Sequence, residues 1–448
     1  MAETVFHHAL TILEDVCFGC THCVKVCPTE ALRVRDGKAR LTANRCIDCG
    51  RCMQACPVNA IIIKQDDFSE IYKYKARVAL VTSILIGQFP RHYPTRKIYS
   101  GIMEQGFSHV YEAEHGASLL IDEINQYVAR HGAVKPVISS FCPAIVRLIQ
   151  VRFPSLVENI MLLKAPLDLA AISFKKELME RGFAEDEIGI FYITPCAAKI
   201  AAIKSPVGEK NSPINGVINM DTLFNKVYSG FKKEHSSSCI VPEKEQLRAE
   251  EMAWSLTGGE AKYINGRCLS IDGIKNAIEF LEGIENGHIS NFDFIEMRAC
   301  DQSCAGGILT TSNRFLTVER LEERIVKYGQ DKIEGKIFDN KTIDKHSSFI
   351  RENVKIDTIE PRSMLKLDEN TEEALRKMER IRKIFSYLPG IDCGACGTPS
   401  CRSLAEDVVQ GHAHTSDCIF IQTSLNVPSD QEIRAEKIWG KDRFRKLT

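Results

Sequence analysis

Apolar positions follow three different patterns along the 448 residues. Between about 75 and 345, short apolar runs alternate with stretches spaced for helices. VALVTSILIG (78–87), PVISSFCPAIV (136–146) and IGIFYITPC (188–196) are nearly continuous in apolar and small residues, as a strand covered on both faces requires. LDLAAISFKKELMERG (167–182) and GIKNAIEFLEG (273–283) repeat apolar residues every three or four positions, which predicts amphipathic helices. Strands alternating with helices imply an α/β region with a partly parallel sheet. Residues 1–70 lack such periodicity and show only short strand-like and turn-like pieces. Residues about 318–385 are rich in Lys, Glu, Asp and Ile, and NTEEALRKMERIRKIFSYLPG (370–390) reads as a helix stopped by Pro-Gly. The pattern predicts a multidomain chain: 1–70, a central α/β domain over 75–345, a helical linker over 346–388, and a small domain over 389–448.

Composition narrows the partners. Lys+Arg and Asp+Glu number 58 and 59, a net charge of -1, which argues against nucleic acid or an anionic membrane surface. The longest apolar run is about half a bilayer span, so no membrane span is expected. The start, MAETVFHHAL, lacks the basic and apolar regions of a signal peptide, and a soluble cytoplasmic protein is expected. The 18 cysteines change the picture. Sixteen fall into clustered groups, and in a large chain without a signal peptide such groups read as metal sites rather than disulfides.

Cys17, Cys20, Cys23 and Cys27 form C-x2-C-x2-C-x3-C-P, and Cys46, Cys49, Cys52 and Cys56 repeat it. Short x2 loops let one turn of backbone present three thiolates to a cubane, and in the doubled motif the fourth Cys serves the other cluster. Cys17, Cys20, Cys23 and Cys56 are therefore assigned to one [4Fe–4S] cluster, and Cys46, Cys49, Cys52 and Cys27 to a second. Zinc ribbons pair two C-x2-C knuckles across a longer gap, so zinc fits poorly. This module resembles the bacterial two-cluster ferredoxin, an α+β fold whose role is one-electron transfer. Near the other end, Cys393, Cys396, Cys401 and Cys418 give C-x2-C-x4-C-x16-C. It resembles the [4Fe–4S] domain of corrinoid iron–sulfur proteins and some electron-transport complexes, with zinc as the alternative. His412 and His414 are expected at the surface rather than as ligands.

The middle segment holds Cys142 in SSFCP, Cys196 in TPCAAK, and Cys300 and Cys304 in EMRACDQSCAGG. Each alone could be a buried core thiol. Together, turns at strand ends could converge on one site. Gly306 and Gly307 are expected to let the backbone come close to a bulky cofactor.

These three segments resemble the signatures TSCCP, MPCxxK and ExMACxxGCxxGG of iron-only, or [FeFe], hydrogenases, and SLTGGE (255–260) resembles a TGG stretch of that family. The resemblance implies that Cys142, Cys196, Cys300 and Cys304 hold a [4Fe–4S] cubane, the fourth such cluster of the chain. Cys304 would bridge it to a two-iron subsite bearing CO, cyanide and a bridging dithiolate, installed by maturation factors. Lys199 would donate a charge-assisted hydrogen bond to a cyanide.

The chain departs from the family at the reacting position. Where the family has a second cysteine, the proton donor, this sequence has Phe141, which carries no proton. Thr194 and Arg298 replace methionines, Ala202 replaces an acidic residue, and Asp122 and Glu123 do not align cleanly with the usual relay carboxylates. A positioned general acid is worth about 10²–10⁴ in rate, so slow turnover is expected. The resemblance then implies a sensory member of the family, with H2 and protons as substrates and a ferredoxin or signalling partner. A homodimer is compatible with it. An efficient hydrogenase with another proton path and a non-catalytic iron–sulfur relative are the alternatives. Cys239 and Cys268 read as ordinary thiols.

Overall fold

A computed structural model describes residues 6–132, 134–232, 247–333, 341–362, 367–368 and 370–424. Cys239 lies outside the described residues. The chain divides into two compact units: Met1–Lys64 with Gln150–Pro154 and Pro361–Thr448, and Gln65–Ile149 with Ser155–Glu360.

The first unit contains β1 (Leu10–Ile12), β2 (Leu32–Arg35), β3 (Lys38–Leu41) and β4 (Ile61–Ile63). β1 pairs antiparallel with β4, and β2 with β3. Asp36 and Gly37 join the hairpin with φ of 51° and 72°, the two left-handed residues that an Asp-Gly hairpin turn needs. The doubled cysteine motif repeats its backbone as well as its sequence. Gly19 and Asp48, each two residues after a first cysteine, have φ of 71° and 51°, and Thr21 and Gly50, four residues after it, have 67° and 75°. Such left-handed residues curl the chain so that successive N–H groups face inward.

The late part of the chain belongs to the same unit. Asn370 caps the helix Thr371–Tyr387 by accepting from the N–H groups of Glu372 and Glu373. Val34 N–H donates to Gly397 O at 2.8 Å, and Arg33 and Arg35 hold the Asp407 carboxylate at 2.8 and 2.7 Å. Gly397 sits at φ 78°, and a Cβ there would meet Val34 O at 2.3 Å, so glycine is required. The C-terminal cysteine segment is thus bound to the hairpin of the N-terminal one.

The second unit contains β5 (Ala76–Val81), β6 (His109–Glu112), β7 (Val137–Ile138), β8 (Ile188–Thr194), β9 (Gly216–Asn219), β10 (Cys268–Asp272) and β11 (Phe294–Arg298). They form two sheets, ordered β6-β5-β8-β9 and β10-β11-β7, and every pairing is parallel. β8 is buried along its whole length, as its unbroken apolar run requires. The helices expected over 167–182 and 273–283 occur as Pro166–Glu180 and Ile274–Glu285.

Two runs behave differently from their hydropathy, and PVISSFCPAIV is a strand only over Val137–Ile138 before a helix begins at Pro143. VALVTSILIG is not a single strand: β5 stops at Val81, and Ser83–Gln88 is helical. Thr82 is the cause, because its hydroxyl accepts from Ile84 N–H at 3.2 Å and caps the helix. Apolar periodicity alone does not register that switch. Among the described residues, no helix is long and apolar enough to cross a membrane.

Candidate metal centres

Three cavities of the first unit are each lined by four cysteines. Cys17, Cys20, Cys23 and Cys56 surround one; Cys27, Cys46, Cys49 and Cys52 a second; Cys393, Cys396, Cys401 and Cys418 a third. The first two sets cross between the repeats in the way the spacing predicts. Main-chain N–H groups of Ala31, Ala39 and Ala60 donate to the sulfurs of Cys27, Cys17 and Cys56 at 3.2, 3.3 and 3.2 Å. Burial, reinforced by Cys20, Cys17 and Cys56, pushes the Cys23 thiol up to about 12, and burial with Cys27 does the same for Cys49. Crowded buried thiols of this kind keep their protons unless a cationic metal core takes their place. All-sulfur donor sets with N–H···S bonds fit iron–sulfur cubanes. His412 and His414 are exposed.

In the second unit, the middle cysteines follow the carboxyl ends of three parallel strands. Cys142 lies beyond β7, Cys196 beyond β8, and Cys300 beyond β11. Ligands of parallel sheets collect at such ends. Burial pushes the Cys196 thiol up to about 12, with Cys304 and Cys142 adding to the effect and Lys199 opposing it. Burial also raises Cys304, against Lys199 and Arg298 and with Cys142. Cys142, Cys196 and Cys304 are therefore within electrostatic reach of one another, and Cys300 belongs to the same turn as Cys304. Four sulfurs on converging turns again suit a cubane.

The glycines after Cys304 serve a different approach from the one expected. A Cβ on Gly306 would meet Asp301 O at 2.0 Å, and one on Gly307 would meet Pro195 O at 2.5 Å. They let the third cysteine turn fold on itself and lie against the second, so the close contact is backbone on backbone.

Lys199 is buried on the helix Ala197–Lys204, 4.0 Å from Cys304 Sγ and 3.3 Å from the Tyr192 hydroxyl. Burial disfavours its ammonium, but Cys304, Tyr192 and Cys196 outweigh that cost and hold its pKa above the ordinary lysine value. Phe141 is buried too, with Lys199 Nζ 4.5 Å from its ring centre. A cavity of about 100 Å3 opens beside both and is also lined by Ala202, Asp168 and Arg147.

Sequence reasoning missed the charged cluster behind Phe141. Arg298 lies over the same ring with Cζ at 4.3 Å from the centre, and its guanidinium pairs with Glu260 and lies 3.6 Å from Glu296. All three are buried. The available signal was opposite charge, Glu260 in one motif and Arg298 with Glu296 in the other. Thr194 is buried and spends its hydroxyl locally, donating to Cys196 O at 2.9 Å. Asp122 and Glu123 are held by Arg351. Cys268 donates to Ile264 O at 3.4 Å within β10 and lies in no cysteine cavity.

The cysteine cavities and the parallel sheets define the class as an iron–sulfur protein with an α/β core. Residues 75–226 and 215–308 match the iron only hydrogenase large subunit, C-terminal domain, which covers more than half of the chain. The protein belongs to that family, the [FeFe] hydrogenases. Residues 9–57 match the 4Fe-4S dicluster domain, and residues 388–420 match a family described as a putative Fe-S cluster. The NADP-reducing hydrogenase subunit HndD of Solidesulfovibrio fructosivorans is 23% identical over 202 residues, 42% of this chain and 31% of that protein. A component of the ion-translocating oxidoreductase complex of Rhodobacter capsulatus is 45% identical over 38 residues, 8% of this chain and 20% of that protein. The chain thus spans less than a third of either relative. Among solved structures, a variant of [FeFe]-hydrogenase HydA1 from Chlamydomonas reinhardtii superposes with a TM-score of 0.51 at 15% identity, covering 66% of this chain and 98% of that one. HydA(deltaEFG), in which stepwise H-cluster assembly was revealed, gives 0.50 at 15% identity with the same coverage. These likenesses establish the fold.

Proposed function

We propose that the chain carries an H-cluster at the middle site, interconverts H2 with protons and electrons at a low rate, and serves as a hydrogen or redox sensor. One observation carries this reading: a buried lysine 4.0 Å from Cys304 Sγ is kept, while the neighbouring donor position is the apolar Phe141. Cys142, Cys196, Cys300 and Cys304 would hold an iron–sulfur cubane, and Cys304 with Lys199 would hold a two-iron group supplied by maturation factors. When bound, that group supplies the metal at which H2 is formed and split. Lys199 would orient it by donating a charge-assisted hydrogen bond to an anionic ligand. Phe141 excludes water and transfers no proton, so the site binds well and turns over slowly. Three further [4Fe–4S] clusters, two at the N-terminal motifs and one at Cys393, Cys396, Cys401 and Cys418, carry electrons to a ferredoxin-type or signalling partner in the cytoplasm.

The test is to load the purified protein with the two-iron cofactor and record infrared spectra in the CO and cyanide region under H2 and under N2. Bands that change with H2, alongside turnover far below that of catalytic relatives, are expected. Absence of the bands contradicts the H-cluster assignment. Bands with rapid turnover contradict the sensory role.

A further inference from the structure

The cluster behind Phe141 contains two buried carboxylates and one buried cation. Glu296 accepts main-chain N–H bonds from Gly258, Glu260 and Ala261 at 3.1, 2.9 and 3.0 Å, so its oxygens are engaged as acceptors. Glu260 is different. Its Oε1 pairs with Arg298, but its Oε2 is buried without a hydrogen-bond partner. A bare carboxylate oxygen in such a place is costly, and a second negative charge against one guanidinium adds to the cost. Binding one proton on Glu260 relieves both. Burial and the nearby Glu296 charge push Glu260 up from its ordinary value, against the pull of Arg298.

This carboxyl is tied to the middle cysteine site from two sides. Arg298 faces Glu260 and Glu296 on one hand, and on the other it feels Cys304 and Cys142 and lies over the Phe141 ring. Ser139 stands beside Glu260, and its hydroxyl accepts from Phe141 N–H at 3.2 Å. Asp272 is a third carboxyl within electrostatic reach of Arg298 and Glu296. It is the strand partner of Arg298 and is only part-buried. It accepts from Ser303 N–H at 2.8 Å and from the exposed Thr257 hydroxyl, and its other oxygen has no partner. The charged and titratable groups facing Glu260 are thus Arg298, Glu296 and, further out, Asp272.

We infer that Glu260 is a proton-holding group coupled to the redox state of the middle cysteine site. When the iron–sulfur group held there gains one electron from a low-potential one-electron donor, one proton from solvent binds Glu260. When that electron leaves, the proton leaves with it. Added negative charge near Arg298 weakens the guanidinium's hold on the Glu260 charge, which is the physical link between the two events. The inference rests on Cys142, Cys196, Cys300 and Cys304 being iron–sulfur ligands.

The experiment uses the full chain with its iron–sulfur clusters reconstituted and no two-iron cofactor. The middle cluster is identified as the electron paramagnetic resonance signal missing in Cys142→Ala, and its reduction is titrated across the neutral pH range. The native chain is expected to show a reduction equilibrium that falls about tenfold per pH unit, the signature of one proton per electron. Glu260→Gln should be flat, and Glu260→Asp should restore the slope. A flat native titration, or an unchanged slope in Glu260→Gln, overturns the inference while leaving the ligand assignment standing. A Cys142→Ala protein with the same signals and iron content overturns the ligand assignment and the inference with it. Where Glu260→Gln does not fold, reduced-minus-oxidised infrared spectra of the native chain decide. A carboxylic C=O band that shifts in D2O is expected, and its absence contradicts the inference.

Discussion

The cysteine cavities of the first unit and the middle site of the second use the same ligand type in different electrostatic settings. The N-terminal motifs surround their sulfurs with main-chain N–H groups and small residues, as at Ala31, Ala39 and Ala60. The middle site buries Lys199, Arg298, Glu260 and Glu296, with Glu114 nearby accepting from Thr82, Ser83 and Ser255. Charges also line the first unit's cavities, Asp48 and Arg51 in one and Asp392 in another, but main-chain donors to sulfur suit a group that only stores and passes electrons. Buried charges on opposite sides of an aromatic ring's neighbourhood suit a site that holds an anionic cofactor and moves protons.

Single substitutions should separate the two settings. Cys20→Ala should remove one N-terminal cluster, about four irons per chain, measured by iron analysis. Lys199→Ala should keep the iron–sulfur content and instead lose the infrared bands of a loaded two-iron group. Equal iron loss in both variants would erase the distinction between the sites.

A smaller effect is expected at Arg298. Arg298→Met leaves Glu260 and Glu296 buried without their cation, which should cost about 3–5 kcal/mol in denaturant unfolding. Adding Glu260→Leu should recover a large part of that loss, because the two changes are coupled. Additive losses would show that the pair does not act as a unit.

The grouping of the cysteines was legible in the sequence because their spacing is local. The doubled motif, the C-terminal set and the three middle signatures each depend on a few adjacent residues. Phe141 was legible for the same reason. The charged cluster was not, because Glu260 and Arg298 meet only after the turn bearing Glu260 folds onto β11, a tertiary event without a period in the chain. The end of β5 was hidden by an apolar run that serves a strand and then a helix, with only Thr82 marking the break. The joining of the Cys393–Cys418 segment to the β2–β3 hairpin depends on charge pairs such as Arg33–Asp407, separated by 374 residues.

The smallest effect concerns a carboxyl away from the cysteines. Burial pushes Glu251 up to about 8 from an ordinary 4.5, against the N–H of Arg248 and the Ser118 hydroxyl. Between those values the folded chain keeps a proton that the unfolded chain releases. The contribution to stability is full below about pH 4.5 and is lost as pH rises through about 8. Glu251→Gln, which mimics the protonated carboxyl, should flatten that decline in thermal unfolding. An unchanged decline would place its origin elsewhere.

The central claim is that the chain keeps a cofactor cage and lacks the proton donor beside it. The most direct measurement is H2 turnover of the cofactor-loaded native protein and of Phe141→Cys, compared at equal loading by infrared bands. Turnover in Phe141→Cys should rise by about 10² or more, the value of a positioned general acid. Equal turnover in the two proteins would contradict the claim that proton delivery limits this site.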